Sequence, residues 1–204
     1  QPRSRGLGEV YTRQAVGVPT RRIAASDPNA GPTTVSVMDS SLPATVITCS
    51  DRAFRDVYED RSGPVLRDGL AAVGFKVDAP VIVPDDIEAI RAAVLKAVAA
   101  GARVVLTTGG TGVGPRDVTV EACAPLLHFQ IPGITEAIRA AGMAKTPKAV
   151  LSRGLSGVID YEGTRAVLVN VPGSRGGARD AMAVLKELLL HIIDQLDGAD
   201  HPMD

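Results

Sequence analysis

Two aspartates and one glycine-rich run carry the residue types best suited to chemistry in this chain. The run is "TTGGTGVGPRD", residues 107 to 117. Gly109, Gly110 and Gly112 let backbone N–H groups approach an oxygen-rich ligand without Cβ clashes. Thr111 adds a hydroxyl donor and Arg116 a fixed positive charge. The helix expected after the run would add its positive dipole end. A strained turn between strand and helix reads equally well from the same residues. Neither standard nucleotide fingerprint fits. Gly109 to Gly114 has P-loop spacing, but Pro115-Arg116 stands where Lys-Ser/Thr is required, and the dinucleotide pattern breaks at Pro115.

Asp85 and Asp117 are the acids in question. Asp85 stands three residues before Glu88, a capping-box arrangement, so a helix cap competes with a catalytic role. Asp117 adjoins Arg116, so an ion pair competes there, while Thr119 already offers a cap for the next helix. Two acids beside a phosphate-type loop suit a Mg²⁺ ion, which prefers carboxylate and phosphate oxygens. Such a site would serve phosphoryl or nucleotidyl transfer. His128, His191 and His201 show no metal-ligand spacing, and no Ser-His-Asp order or G-x-S-x-G elbow is present. Ser152-Arg153-Gly154 reads as a turn with an ion-pairing arginine.

The elements that must position these groups alternate regularly from residue 44. "ATVITCS", "KVDAPVIVP", "RVVLTT", "GVIDY" and "RAVLVNVP" read as strands. "GPVLRDGLAAVGF", with Ser62 as N-cap, and "DDIEAIRAAVLKAVAAGA", stopped by Gly101, read as helices. "VEACAPLLH", "ITEAIRAAGM" and the closing "ARDAMAVLKELLLHIIDQL" are further helices. This alternation predicts an α/β fold, a three-layer doubly wound and mostly parallel sheet. Ligands of such sheets bind beyond the carboxyl ends of the strands. Ser50-Asp51-Arg52, Pro84-Asp85-Asp86, Gly109 to Gly112 and Pro172-Gly173-Ser174 all arrive at that edge.

Composition sets the bounds. The 204 residues hold one full core and a tail. With 22 basic and 23 acidic residues there is no charge excess to drive nucleic-acid binding. Aromatics make up 3% of the chain and Trp is absent, against base-stacking platforms and a flavin-binding redox protein alike. Cys49 and Cys123 form no CxxC pair, and Cys49 reads as a small core residue. No run approaches membrane-spanning length and the start does not resemble a signal peptide, so a cytoplasmic protein is expected. Residues 1 to 42 lack an apolar period and read as a flexible extension, with residues 43 to 204 as the domain. Five arginines against two acids in residues 1–35 leave a passive tail or a basic arm open.

"SDRA" (50–53), "YEDRSGP" (58–64), "VPDD" (83–86), "TTGGTG" (107–112), "PRDVT" (115–119), "EAIR" (136–139), "LSRG" (151–154) and "NVPGS" (170–174) follow one another in a set order. In that order they resemble the Mog/MoaB proteins of molybdenum-cofactor synthesis, from about residue 44 to 197. The resemblance implies a molybdopterin adenylyltransferase that uses Mg²⁺ and ATP and releases pyrophosphate. Its catalytic, metal-binding acids map onto Asp85 and Asp117. Its ligand-binding stretches map onto Ser50, Asp51 and Arg52, onto Gly109, Gly110, Thr111 and Gly112 with Arg116, and onto Pro172, Gly173 and Ser174. It also implies a homotrimer and a molybdenum-insertion protein as partner. Two departures stand out. Val120 takes the place of a frequent Pro, and "PGSRGG" lacks the usual Pro-Lys, so that Arg175 supplies the charge. Some members bind the pterin without adenylylating it, which leaves a non-catalytic pathway homologue as the alternative. The related module of pyridine-nucleotide-recycling amidohydrolases needs a second domain that this chain has no residues to encode.

Overall fold

In the computed structural model, residues 41–198 are described, and the extension expected over residues 1 to 42 lies almost wholly outside them. The strands are β1 (Pro43–Cys49), β2 (Lys76–Val77), β3 (Val81–Val83), β4 (Val104–Thr108), β5 (Phe129–Gln130), β6 (Ser156–Tyr161) and β7 (Thr164–Val171). The helices are α1 (Asp51–Phe54), α2 (Gly63–Val73), α3 (Ile87–Ala99), α4 (Thr119–Cys123), α5 (Pro132–Met143), α6 (Arg175–Leu185) and α7 (Leu189–Leu196). The sheet runs β2-β1-β4-β7-β6-β5, with β3 also pairing β1.

The five strands β1, β2, β3, β4 and β7 pair in parallel, as the alternation predicts, and β5 and β6 form an antiparallel edge. That edge follows from Glu162-Gly163, both at positive φ (49° and 79°), which make the two-residue hairpin turn between β6 and β7. All of β4 is buried, because helices cover both faces of the central sheet. Val46, Leu106, Val167 and Val169 pack on one side with Leu66, Ile138, Met182 and Leu189. Ile47, Val105 and Leu168 pack on the other with Ile90, Val94 and Val98. Neighbouring residues of a strand thus belong to opposite cores, which is the period of two.

Three expected elements are divided. Pro80, without an N–H, separates "KVDAPVIVP" into β2 and β3. Pro125 ends α4 early, and a 3-10 turn at Ala124–Leu126 replaces the rest of that helix. The closing helix breaks into α6 and α7 at a tight turn in which the Leu188 N–H donates to the Leu185 carbonyl. The parallel strands β1, β3, β4 and β7 end at one edge, at Cys49, Val83, Thr108 and Val171. The loops that leave them build the site.

Candidate functional site

The loops after β1 and β3 lock each other. The Asp51 N–H donates to Asp85 Oδ2 (2.9 Å), and the Asp85 N–H returns a bond to Asp51 Oδ1 (3.2 Å). The Arg116 guanidinium donates to Asp51 Oδ2 through Nε (3.0 Å) and Nη2 (2.6 Å). That hydrogen bond holds the Asp51 carboxyl below the usual aspartate range. Burial pushes Asp85 the other way, above it. Asp85 is not the helix cap. Asp86 occupies the N-cap of α3, and its Oδ1 accepts the Ala89 N–H (2.9 Å). Asp85 is left with a buried Oδ1 that has no hydrogen-bond partner.

The glycine loop leaves β4 with Gly109 at φ 95° and Gly110 at φ 62°. A Cβ on Gly109 would lie 2.3 Å from the Cys49 carbonyl oxygen, and one on Gly110 would lie 2.2 Å from Thr119 Oγ1. Close packing against β1 and α4 therefore demands both glycines, and the strained turn is real whatever the loop binds. Arg153 pins the loop from outside. Its N–H donates to the Thr111 carbonyl (2.8 Å), its Nε to that of Gly112 (2.6 Å) and its Nη2 to that of Asp117 (2.7 Å). Glu121 pairs with the same guanidinium.

Asp117 does not pair with Arg116, which is engaged by Asp51. Its Oδ2 accepts the Gly114 N–H (2.8 Å) instead. Thr119 is not the cap of α4 either: Val118 holds that position, without a side-chain bond. With five residues, α4 offers little dipole. The stronger helix start is that of the 11-residue α6, where Ser174 Oγ accepts the Gly177 N–H (3.0 Å). Cys49 is buried and free, and burial pushes its thiol up to about 12, in keeping with a core residue.

Two cavities meet across this ridge. One, of about 440 Å³, is lined by Ser50, Arg52, Asp85 and Arg116. The other, of about 480 Å³, is lined by Thr111, Gly112 and Pro172. Gly109, Gly110, Asp117, Gly173 and Ser174 border both. Asp51 lines neither and supports Asp85 and Arg116 from behind.

Several residues of these walls carried no role in the sequence reading. Tyr58 lies between two arginines, with the Arg52 guanidinium 4.8 Å and that of Arg61 5.4 Å from its ring centroid. Ser62 stands at the N-cap of α2, as expected, but without a side-chain capping bond; Asp60 supplies the acceptor instead, its Oδ1 taking the N–H groups of Ser62 (3.0 Å) and Gly63 (2.9 Å). The Thr48 hydroxyl donates to Asp60 Oδ2 (2.6 Å) and ties the cap to β1. An Asp three residues ahead of Gly63-Pro64 is itself a capping signal. Arg175 joins Arg52, Arg61 and Arg116 in the smaller cavity. Lys145 and Asp180 line the larger one.

Among the described residues no group of three or more His, Cys, Asp or Glu side chains could hold a metal. The donor set still fits Mg²⁺, which takes one or two carboxylates and draws its other ligands from substrate phosphates and water. The unpartnered Asp85 Oδ1 is such a carboxylate oxygen. No helix among the described residues is long and apolar enough to cross a membrane.

The family described as "Probable molybdopterin binding domain" matches residues 45–191. A molybdenum cofactor biosynthesis bifunctional protein of Synechococcus elongatus is 43% identical over 158 residues, covering 78% of this chain and 48% of that protein. The chain thus spans about half the length of the bifunctional proteins it matches. A molybdopterin adenylyltransferase of Pyrococcus furiosus is 35% identical over 149 residues, covering 72% of this chain and 87% of that protein. Among solved structures, a molybdopterin biosynthesis protein of Mycobacterium abscessus is 42% identical with a TM-score of 0.71, covering 76% of this chain and 96% of that one.

Proposed function

The chain belongs to the Mog/MoaB family of molybdenum-cofactor biosynthesis proteins, and from that premise we propose that it adenylylates molybdopterin with Mg²⁺ and ATP. A terminal phosphate oxygen of molybdopterin attacks the α-phosphorus of ATP. The new P–O bond forms as the bond to pyrophosphate breaks. The observation that carries this reading is the junction of the two cavities. A transfer between two bulky substrates needs two adjoining pockets with the reacting atoms at their boundary, and Asp117 borders both.

The smaller cavity suits the triphosphate. Arg52, Arg61, Arg116 and Arg175 line it and offset phosphate charge. Helix α6 starts at Ser174, which borders both cavities, and a helix start favours an anion beside it. Asp85 and Asp117 would hold Mg²⁺, which would supply charge neutralisation when bound. Asp51 and Arg116 fix the Asp85 loop, and Arg153 fixes the Asp117 loop. The larger cavity takes molybdopterin. The working unit is a homotrimer in the cytoplasm that hands its product to a molybdenum-insertion protein.

The test is incubation with molybdopterin, ATP and Mg²⁺, followed by mass analysis of the pterin. Addition of one AMP and release of one pyrophosphate is expected. Bound but unmodified pterin would favour the non-catalytic homologue and refute the transferase.

A further inference from the structure

Asp180 is out of place for a helix packed on a sheet. It lies on α6 among the buried Ala178, Ala181, Met182 and Leu185, and its side chain is only 8% exposed. A buried carboxylate is costly unless it is paired or used. The ammonium of Lys145 is its partner, bound to one oxygen, Oδ1. Lys145 itself is 68% exposed, so its ammonium reaches in from solvent on a flexible stem. It is a counter-ion that a ligand can displace, and water is at hand to receive it.

The carboxylate lines the 480 Å³ cavity. Ile138, Gly142, Ala149, Gly176 and Gly177 line it too. These are apolar or small groups, and a Cβ on Gly176 would meet nothing within 4 Å. Such walls suit a flat ring. The cationic side chains nearby cannot read a donor edge, because Lys and Arg carry donors alone. Asp180 and the junction acid Asp117 are the two acceptor-only side chains that line the cavity.

Resting on the assignment of molybdopterin to this cavity, we propose that Asp180 reads the 2-amino-4-oxo edge of the pterin ring. That edge presents two adjacent, nearly parallel N–H donors, from the 2-amino group and N3. A carboxylate accepts such a pair with both oxygens, as it does from a guanidinium. Lys145 releases the carboxylate when the ring enters. A site built on this pairing rejects analogues that lack the donor. Lumazine, with oxygen in place of the 2-amino group, turns an acceptor toward Asp180. Guanosine carries the same donor edge on a different frame.

The experiment is a fluorescence titration of the full chain with pterin and with lumazine, and a competition with guanosine. Wild-type protein is expected to prefer pterin over lumazine by about 10-fold or more and over guanosine as well. Asp180→Asn should bring pterin and lumazine within about twofold while ATP affinity stays unchanged. Asp180→Glu should bind pterin more weakly but keep the preference. Lys145→Gln should keep it too, since the carboxylate remains. Thermal unfolding of each variant establishes that it is folded, and Asp180→Glu carries the test if Asp180→Asn is not. An unaltered preference in folded Asp180→Asn would overturn the inference, as would loss of preference in Asp180→Glu or tighter binding of guanosine. Adenylylation with no pterin discrimination in wild-type protein would overturn it alone and leave the transferase standing. Absence of adenylylation with discrimination intact would overturn the transferase alone.

Discussion

Replacing Asp85 by Asn separates chemistry from architecture at one oxygen. The Asp85 side chain does two things: Oδ2 accepts the Asp51 N–H at 2.9 Å, and Oδ1 is buried without a partner. Asn keeps an oxygen for the first task and removes the charge needed for the second. A hydrogen bond to a neutral acceptor is weaker than one to a carboxylate by about 1 kcal/mol. Relief from burying an anion opposes that loss. The two nearly cancel, so stability should change by no more than about 1 kcal/mol. The sign depends on pH. Burial raises the folded-state pKa of Asp85 above the ordinary aspartate value. Its favourable contribution is therefore complete below the ordinary value and is lost as pH rises through the raised one. At neutral pH Asp85→Asn should be as stable as the parent or more stable, and the advantage should vanish in acid. Turnover should fall by roughly 10²–10³-fold, equivalent to about 3–4 kcal/mol in the barrier. Chemical denaturation across pH and adenylylation at saturating Mg²⁺ and ATP measure the two sides. Turnover near the parental value would remove Asp85 from the chemistry. A large loss of stability at neutral pH would instead make its carboxylate a structural acceptor.

Three other perturbations probe the supports. Gly110→Ala places a Cβ at φ 62° and 2.2 Å from Thr119 Oγ1, so thermal unfolding should show a loss of about 1–3 kcal/mol. Arg153→Ala strips donors from the Gly112 and Asp117 carbonyls; kcat should fall about tenfold, and Arg153→Lys, which lacks the fork, should not restore it. Arg116 holds the Asp51 carboxyl below its usual range, so their pairing contributes above the ordinary aspartate pKa and is lost as pH falls through the depressed one. The stability difference between Arg116→Gln and the parent, followed by denaturant titration, should shrink in acid; a difference that grows there would refute the pairing.

The strand-end edge was legible in the sequence because it follows from chain order alone. Apolar runs broken by turn residues fix which stretches leave the strands, and parallel pairing sends them to one side. Most of the residues assigned to binding do border the two cavities, and Asp51 stands behind them. Tyr58, Asp60 and Arg61 lay within a recognised run, but nothing local said which of them lined the cavity. Lys145 and Asp180 could not be found at all, since 35 positions separate a surface lysine from an acid on an otherwise apolar helix face. Asp85 shows the limit most sharply. In "PDDIEAI" either aspartate can precede the helix, and a shift of one residue exchanges the cap for its neighbour. The i, i+3 pattern favoured Asp85 because Glu88 completes the box, but β3 ends at Val83 and α3 starts at Ile87, which leaves Asp86 as the cap. The aspartate that the helix does not use is the one whose oxygen stays unpartnered. Helix capping thus accounts for Asp86 and leaves the buried Oδ1 of Asp85 without a partner.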